Sequence, residues 1–350
     1  MKALFLVGGQ GTRLRPLTDR LPKPMVPVMG RPLLERYLEA LKLHDIREIV
    51  LSTCYQPEAI EQYFGHGADW GLNIRYASED FPLGTGGAIK NCEKYFDDTF
   101  FVFNADILSN INFSEMLRYH KRKKADVTIA VTRVENPSDY GVIEYDEDGY
   151  AYLFQEKPAP HEVVSHDINA GIYLFEPSVL RGIPSGRPVS VEREVFPKLL
   201  ERGRKIAVYK GCNYWLDIGT PEKYVQAHRD VFEGKLPLPE INFHERALYS
   251  GPGTRISGTA VLRGPVYLGS NVRIGPGAII GPRVVIGDNS LIGKKCKVAN
   301  SILWNDVVLE NGAELSECIL TDTNTVESAS KLKHAICTPE TIKTVKRLIV

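Results

Sequence analysis

This chain of 350 residues has no long apolar run, no closely spaced pair of cysteines and no net charge. The apolar run at the N-terminus, residues 3–7, is far too short for a membrane span or a signal-peptide core. The six cysteines form no CxxC pair and no cluster with histidine, which argues against a disulfide framework or structural zinc and predicts buried free thiols. Basic and acidic residues number 43 each, so no overall charge attracts nucleic acid or an anionic membrane. We therefore expect a cytoplasmic protein that binds neither nucleic acid nor membrane.

Up to about residue 235, short apolar runs alternate with helical patterns, beginning with a strand at 3–7, a helix at 33–43, a strand at 49–52 and a helix at 57–64. This rhythm predicts a parallel or mixed sheet covered by helices. Residues 100–103 have no polar alternation, which is typical of a central strand buried on both faces. That run ends just before Asp106, and ligands of open α/β sheets lie beyond the carboxyl ends of strands. Asp106 is therefore expected in a functional site.

A six-residue repeat fills most of the remaining chain. Apolar residues recur every sixth position from Ile256 to Val298, and after a five-residue step the register resumes at Leu303. Such hexads predict a left-handed parallel β-helix. The predicted domains are therefore a catalytic domain at 1–235, a linker at 236–253, the β-helix at 254–327 and a tail at 328–350. In the tail, Thr338 as N-cap and Pro339 at the first helical position predict a helix to Leu348.

The β-helix region has no histidine between His244 and His334, which argues against acyl transfer by a histidine base there. We expect it to serve in homo-oligomer contacts or regulation. Since every candidate catalytic residue precedes it, we also expect the catalytic domain to fold after deletion of residues 251–350.

The N-terminal strand leads into a glycine-rich loop that carries cations. Backbone N–H groups can approach a polyphosphate closely at three glycines, namely Gly8, Gly9 and Gly11. Arg13 and Lys23 add positive charge beside them. The loop lacks the Gly-Lys-Ser/Thr ending of a P-loop, and Leu14 replaces the third glycine of a dinucleotide fingerprint. The loop thus predicts a nucleoside triphosphate site of another class.

This loop resembles the signature of the sugar-1-phosphate nucleotidylyltransferases, also called nucleotide-sugar pyrophosphorylases. Further segments similar to that family follow in order: Leu83-Gly84-Thr85-Gly86-Gly87, Asn104-Ala105-Asp106, Tyr140-Gly141, Glu156-Lys157-Pro158, Asn169-Ala170-Gly171 and Trp215-Leu216-Asp217-Ile218-Gly219. Within the family, the opening residues and residues 191–197 most resemble mannose-1-phosphate guanylyltransferases. The resemblance implies a Rossmann-like α/β domain with a mixed sheet, followed by the β-helix. It also implies synthesis of an NDP-sugar and pyrophosphate from a nucleoside triphosphate and a hexose 1-phosphate.

The resemblance assigns catalysis to Arg13, Lys23, Asp106 and Asp217. Nucleotidyl transfer accumulates negative charge on phosphate oxygens, so the two cations suit the leaving phosphates and the α-phosphate. Asp106 and Asp217 both end hydrophobic stretches, and two carboxylates plus substrate phosphates suit Mg²⁺, which the resemblance places on this pair. Asp217 has an alternative role as N-cap of the helix that starts near Pro221.

The resemblance also divides the substrate-binding residues into two halves. The nucleotide half comprises Gly8, Gly9, Gln10, Gly11, Thr12, Glu79, Gly84, Thr85 and Gly86. Glu79 could accept hydrogen bonds from guanine, or it could be an ordinary surface residue.

The sugar-phosphate half comprises Gly141, Glu156, Lys157, Asn169 and Gly171. Lys157 would hold the phosphate, and Glu156 and Asn169 the sugar hydroxyls. The alternative is that Glu156 and Lys157 form an exposed ion pair before a turn.

The favoured function is GDP-mannose synthesis from GTP and mannose 1-phosphate. Glucose-1-phosphate uridylyl-, thymidylyl- or adenylyltransfer is an alternative, because one altered hydrogen bond can change base or sugar choice. A third possibility is a non-catalytic regulatory subunit that binds a nucleotide sugar. All the expected cations and carboxylates are present, which argues for an enzyme.

Overall fold

The computed structural model describes residues 1–345 and divides into two compact units. The first unit comprises Met1–Gln10, Pro22–Met25 and Leu34–Asp217. The second comprises Gly11–Leu21, Val26–Leu33 and the chain from Ile218 onward. The glycine-rich segment is therefore divided between the units, and the helix Pro221–Phe232, which the sequence places in the catalytic domain, belongs to the second unit.

The described residues of the first unit form a mixed nine-stranded sheet. Its path runs through the strands Ala151–Glu156, Gly141–Tyr145, Asp167–Phe175, Phe100–Asn104, Lys2–Leu6, Glu48–Thr53 and Asn73–Ser78. Off this path, Val127–Arg133 pairs with Asp167–Phe175, and Ile206–Tyr209 pairs with Val127–Arg133. Phe100–Asn104 is parallel to Lys2–Leu6 and antiparallel to Asp167–Phe175. Phe100 and Phe103 are fully buried, which confirms the prediction of a central strand.

Helices and short turns surround this sheet. The α-helices are Leu33–Lys42, Pro57–Phe64, Gly84–Asn91, Phe113–Lys123, Pro177–Leu180 and Phe196–Glu201, and Val191–Val195 is a π-helical turn. The 3₁₀ turns are Lys23–Met25, Ala68–Trp70, Glu93–Tyr95, Pro137–Asp139 and Pro160–Glu162. A separate two-stranded ribbon pairs Ile107–Ser109 with Trp215–Asp217. Among the described residues, no helix is both long and apolar enough to cross a membrane.

The second unit is a parallel β-helix joined to the helix Pro221–Phe232, the 3₁₀ turn Thr12–Leu14 and the short strands Pro27–Val28 and Arg31–Pro32. Its first face, which we call the docked face, contains Leu248–Ser250, Val266–Leu268, Val284–Ile286 and Ser301–Leu303. A second face, the ladder face, contains Val261–Leu262, Ile279–Ile280 and Lys297–Ala299. The long strands Glu314–Leu320 and Lys331–Cys337 continue both of these faces. The third face, the open face, contains Arg255–Ile256, Arg273–Ile274, Leu291–Ile292, Val308–Leu309 and Thr325–Val326.

The register explains the five-residue step before Leu303. Val266 pairs with Val284, which makes a coil of 18 residues, and Val284 pairs with Ser301, which makes a coil of 17. Asn300 takes a positive φ of 49° at the corner where the residue is missing. Inward residues such as Ile286 and Leu303 are fully buried on both sides of the step.

The docked face is covered by other residues of the second unit. Trp304 Nε1 donates to Tyr224 Oη over 2.8 Å, and Tyr224 Oη donates to the carbonyl of Pro27 over 2.7 Å. The backbone N–H of Met29 donates to His228 Nε2 over 3.1 Å. A Cβ atom on Gly30 would come within 2.8 Å of the Tyr267 hydroxyl, so glycine is required for this approach. Deleting residues 251–350 would expose these groups, and folding of the catalytic domain after that deletion stays a prediction.

The C-terminal segment differs from the sequence prediction. Ile342–Thr344 is a strand antiparallel to Lys331–Cys337, so the helix predicted after Thr338 is wrong for the described residues. Thr338 instead closes a turn in which its hydroxyl accepts from the N–H of Thr341 over 3.1 Å. The free backbone groups along the edge of Lys331–Cys337 outweigh the local helix signal. Residues 346–350, including Leu348, lie outside the described residues.

The cysteines in the structure are all free, and four of them, Cys92, Cys296, Cys318 and Cys337, are buried. Cys54 and Cys212 are only partly buried, so the prediction of buried thiols is wrong for these two.

Candidate active site

A cleft of about 360 Å³ lies in the first unit at the carboxyl ends of Lys2–Leu6 and Phe100–Asn104. Seven of the predicted residues line it: Gly8, Gly9, Lys23, Glu79, Gly84, Thr85 and Asp106. A Cβ atom on Gly8 would lie 3.0 Å from Cys54 Cβ, whereas one on Gly9 would meet no described atom within 4 Å. Gly8 therefore packs on the neighbouring loop, and Gly9 leaves the cleft open to a ligand's phosphates.

An ion pair lies in this cleft. Lys23 Nζ is 2.6 Å from Asp106 Oδ2, with side chains that are 12% and 33% exposed. Lys23 begins the 3₁₀ turn Lys23–Met25, and the buried Pro22 and Pro24 on either side restrict its backbone. The lysine therefore occupies a fixed position beside the carboxylate that ends the central strand.

Asp217 belongs to the ribbon that follows Asp106. There Asp217 pairs with Ile107, the residue after Asp106, so the backbones of the two aspartates run close together. Asp217 is 8% exposed and accepts a hydrogen bond from Tyr140 Oη over 3.1 Å. Thr220 is the N-cap of the following helix, accepting from the N–H of Lys223, so the alternative capping role for Asp217 is wrong. Carboxylate oxygens are ligands that Mg²⁺ prefers, so Asp106 in the cleft wall and Asp217 on the paired strand have the chemistry of a Mg²⁺ donor set.

Tyr37 is a buried residue near this centre that sequence reasoning missed. Burial raises the pKa of its hydroxyl well above the usual value, and the charge of Asp106 raises it further. Among the described residues its hydroxyl has no hydrogen-bond partner. Nothing in its helical pattern distinguishes it from an ordinary core tyrosine.

Hydrogen bonds fix both carboxylate oxygens of Glu79 in the cleft. One carboxylate oxygen accepts from Ser52 Oγ and the other from the N–H of Leu83, each over 2.9 Å. A carboxylate has about four acceptor positions, so both oxygens can accept one more hydrogen bond from a ligand. The structure therefore places Glu79 in the cleft wall, which argues against the alternative of an ordinary surface residue.

The glycines of the segment 84–87 pack against a neighbouring strand-like segment. Cβ atoms on Gly84 and Gly86 would lie 2.7 and 3.2 Å from the carbonyl oxygen of Val189. The N–H groups of Gly86 and Gly87 donate to that same oxygen over 2.8 and 3.2 Å. The structure thus gives Gly86 a packing role, and its contact with nucleotide stays a prediction.

Glu192 links the two halves of the site and was also missed as a site residue. Its Oε2 accepts from Thr85 Oγ1 over 2.7 Å and from Ser190 Oγ over 2.8 Å, and Thr85 Oγ1 in turn accepts from the N–H of Val191 over 2.9 Å. Thr85 is predicted to bind nucleotide, and in the structure its hydroxyl is hydrogen-bonded to the π-helical turn. The only sequence signal was the family-like segment 191–197, which does not show what Glu192 contacts.

Glu156 is the last residue of the strand Ala151–Glu156 and pairs with Gly141 on the neighbouring strand. A Cβ atom on Gly141 would lie 2.9 Å from Glu156 Oε2 and 2.6 Å from the Phe154 ring, so this pairing requires glycine. Burial raises the pKa of Glu156 above its ordinary 4.5, the charge of Glu192 raises it further, and Lys157 opposes the shift. Lys157 itself is exposed at a positive φ of 52°, whereas Glu156 is partly buried, so only one member of the alternative exposed pair is exposed.

A bulge in the strand Asp167–Phe175 positions the other sugar-side residues. Asn169 Oδ1 accepts from the N–H of Gly171 over 2.9 Å, and its Nδ2 donates to Tyr173 Oη over 2.8 Å. Gly171 has a φ of 69°, and a Cβ atom there would lie 2.4 Å from Ile107. Trp215 Nε1 donates to the carbonyl of Ala170 over 3.0 Å, which connects the bulge to the strand that carries Asp217. The structure thereby brings the sugar-side residues and the carboxylate pair into one region of the first unit.

The remaining predicted residues, at positions 10–13, are not among those that line the cleft. Gln10 is exposed at the end of the first unit's glycine segment, and Thr12 and Arg13 are exposed in the second unit. Gly11 has a φ of 61°, and its carbonyl accepts from Thr18 Oγ1 over 2.8 Å, which fixes the loop that presents Arg13.

Comparison with known proteins agrees with this geometry. Residues 2–234 match the model of the Nucleotidyl transferase family, and residues 262–350 match that of a GMPPB C-terminal domain. The chain therefore belongs to the nucleotidyl transferase family.

Three similar proteins indicate which kind of nucleotidyl transferase this chain is. A mannose-1-phosphate guanylyltransferase of Mycobacterium tuberculosis is 42% identical to this chain, over 76% of this chain and 74% of its own length. A UTP–glucose-1-phosphate uridylyltransferase of Synechocystis is 36% identical over 77% and 74%. The crystal structure of HddC from Yersinia pseudotuberculosis complexed with GMP-PN matches with a TM-score of 0.56 and 29% identity, over 65% of this chain and 97% of that one. The protein is thus an enzyme of the sugar-1-phosphate nucleotidyltransferase type, an NDP-sugar pyrophosphorylase, as the sequence resemblance predicts.

Proposed function

We propose that the enzyme makes GDP-mannose and pyrophosphate from GTP and mannose 1-phosphate in the presence of Mg²⁺. The observation that carries the proposal is the joint placement of Gly9, Lys23, Glu79 and Asp106 along one cleft. These residues offer different chemistry. Lys23 suits phosphates, Asp106 suits a metal ion that binds phosphates, and the carboxylate of Glu79 suits a base with adjacent N–H donors, as guanine has.

The relatives support the same choice of substrates. The Mycobacterium relative is named for mannose 1-phosphate and guanylyl transfer, and the Yersinia structure was determined with GMP-PN. The Synechocystis relative is named for UTP and glucose 1-phosphate, which makes that pair the second candidate.

The nucleophile in this reaction is a phosphate oxygen of the sugar phosphate. A phosphate monoester has a second pKa of about 6, so it is already anionic at neutral pH and requires no general base. The oxygen attacks the α-phosphorus, the bond to the β-phosphate oxygen breaks, and pyrophosphate leaves with the negative charge. The main task of the protein is therefore to place cations and to align the two substrates.

The residues divide this task by position. Lys23 holds the α-phosphate or the pyrophosphate, and Arg13 stabilises the charge that develops on the leaving group. Lys157 holds the phosphate of the sugar, while Glu156 and Asn169 accept and donate hydrogen bonds to its hydroxyls.

Asp106 and Asp217 would hold Mg²⁺ together with the substrate phosphates. When bound, the ion supplies Lewis-acid stabilisation of phosphate charge.

Pyrophosphate release from five nucleoside triphosphates with either mannose or glucose 1-phosphate tests the proposal. We expect the highest kcat/KM for GTP with mannose 1-phosphate. A preference for UTP and glucose 1-phosphate would overturn the substrate assignment, and no release from any pair would favour the regulatory subunit. Glu79→Gln should lower kcat/KM for GTP by about tenfold or more but not that for UTP, whereas Asp80→Asn, on the exposed neighbour, should change neither.

A further inference from the structure

The three faces of the β-helix differ in what covers them. On the docked face, the outward residues Tyr267, Val285 and Ile302 are 6, 2 and 6% exposed. On the ladder face, Lys297 and Lys331 lie 2.9 and 3.5 Å from Glu314 and neutralise it. The described residues of the open face have neither a covering segment nor such a ladder.

The open face presents one outward residue from each of its strands. In order along the β-helix axis they are Arg255, Arg273, Leu291, Val308 and Thr325, and they alternate with buried residues such as Ile274 and Ile292. Leu291 in the middle is 45% exposed, and a groove of about 800 Å³ runs along the face. The centre of the face therefore exposes an apolar side chain to a groove.

Charge changes sign from one end of this face to the other. Arg255 and Arg273 mark its first two coils, and neither has an ion pair with a described residue. Glu310 and Glu327 follow the strands of the last two coils, and both are exposed. Glu310 also accepts hydrogen bonds from the N–H and the hydroxyl of Ser328, which hold its carboxylate in place at the groove.

We propose that a second copy of this chain docks on the open face with its β-helix axis antiparallel, related by a twofold axis that passes at Leu291. This arrangement places the first coil against the last coil, the second against the fourth and the middle coil against itself. Arg255 then meets Glu327 of the other copy, Arg273 meets Glu310, and the Leu291 side chains meet each other. A parallel arrangement would instead bring Arg255 and Arg273 against the same arginines, which repel.

The dimensions are compatible with these pairs. Coils are spaced by about 4.8 Å and residues along a strand by about 3.3 Å, so a glutamate two residues beyond the strand position lies about 7 Å to one side. An extended arginine side chain spans that offset. The interface is isologous and closes at two copies, so it produces a dimer and not a fibre.

The test measures the oligomeric state of the full-length protein by sedimentation velocity and light scattering over a concentration series. We expect a dimer whose dissociation constant rises by about tenfold or more in Leu291→Asp, because each copy then buries a carboxylate at the axis. Val261→Asp is the matched control, since Val261 is 47% exposed on the ladder face. It should leave the dimer unchanged.

Charge reversal distinguishes this pairing from simple hydrophobic contact. Arg273→Glu should weaken the dimer, and the double variant R273E/E310R should restore it, because each copy then carries the exchanged pair. Leu291→Cys should form an intermolecular disulfide under mild oxidation, which tests proximity without disturbing folding. Thermal melts establish that every variant is folded.

Several outcomes would overturn the proposal. They are a wild-type monomer at about 100 µM, a dimer that Leu291→Asp leaves intact, dissociation by Val261→Asp instead, and failure of R273E/E310R to restore association. Binding of a small anion to Arg255 and Arg273 without dimerisation would reassign the face to a ligand.

Discussion

Contacts between coils of the β-helix and contacts around the cleft differ in how far apart their partners lie in the chain. In the β-helix, side-chain bonds such as Val272 N to Thr254 and Val307 N to Ser290 join residues 18 or 17 positions apart. Around the cleft, Lys23 binds Asp106 across 83 positions and Thr85 binds Glu192 across 107. A coil has similar neighbours above and below, whereas each cleft contact exists once. We therefore expect substitutions in the cleft to change activity more than stability, and substitutions in the β-helix to do the reverse.

The largest effect is expected for Asp106→Asn. Removal of one of the two proposed carboxylate ligands weakens metal binding and leaves Lys23 without its partner, so kcat should fall by about a hundredfold or more. Pyrophosphate release at saturating substrates and Mg²⁺ measures this, with Asp148→Asn, on an exposed turn, as control. A near wild-type rate for the Asp106 variant would remove Asp106 from the metal site, and a large loss of stability would break the comparison between the units.

Gly141→Ala should act selectively on the sugar side. The added methyl meets Phe154 and the Glu156 carboxylate, so Glu156 must move, and KM for the sugar phosphate should rise by about tenfold while KM for the triphosphate stays unchanged. Gly258→Ala is the control, because a Cβ atom there meets no described atom within 4 Å. Equal increases in both constants would contradict the assignment of Gly141 to one substrate.

The pH profile should report the environment of Glu156. Burial and then Glu192 raise the pKa of Glu156, so its carboxylate loses the ability to accept sugar hydroxyls at a higher pH than an unshifted carboxyl with a pKa of 4.5. As pH falls through that raised pKa, kcat/KM for the sugar phosphate should decrease.

Two substitutions test the origin of that decrease. Glu192→Gln should move it to lower pH by removing a negative charge, while Glu194→Gln, on the same turn and paired with Arg187, should not move it. An unchanged profile in Glu192→Gln would show that burial alone sets the shift.

The smallest effect is expected for Trp304→Phe on the docked face. The variant loses the donor to the Tyr224 hydroxyl, which should lower the free energy of unfolding by about 1–2 kcal/mol and leave kcat unchanged. Trp70→Phe is the control, since Trp70 stacks on Tyr63 and its Nε1 has no hydrogen bond to a described residue. Denaturant titration together with initial rates measures both quantities, and a fall in kcat without a fall in stability would reverse the expected contrast.

The β-helix was predictable because its contacts repeat in the sequence. The step before Leu303 even indicated where a coil would shorten. The strand end at Asp106 was equally accessible, because a run of buried residues precedes it.

What sequence reasoning missed depends on the order of strands in the sheet. Glu192 meets Thr85, and Asn169 stabilises a bulge, only because distant segments become neighbours in the fold. The helix prediction for the tail was wrong for a related reason. Pairing with the edge of Lys331–Cys337 determines the conformation of the tail more than its own residues do.

Because each coil has 17 or 18 residues, the β-helix can lengthen only in whole coils. An insertion of one whole coil adds a layer and keeps every inward residue inward, whereas an insertion of two or three residues keeps them inward only by looping out at a corner. The open face has an odd number of described layers, so one layer lies at its midpoint. Gain or loss of a single coil would move that midpoint into the gap between two layers, so relatives with different coil counts should differ in which copies can assemble together.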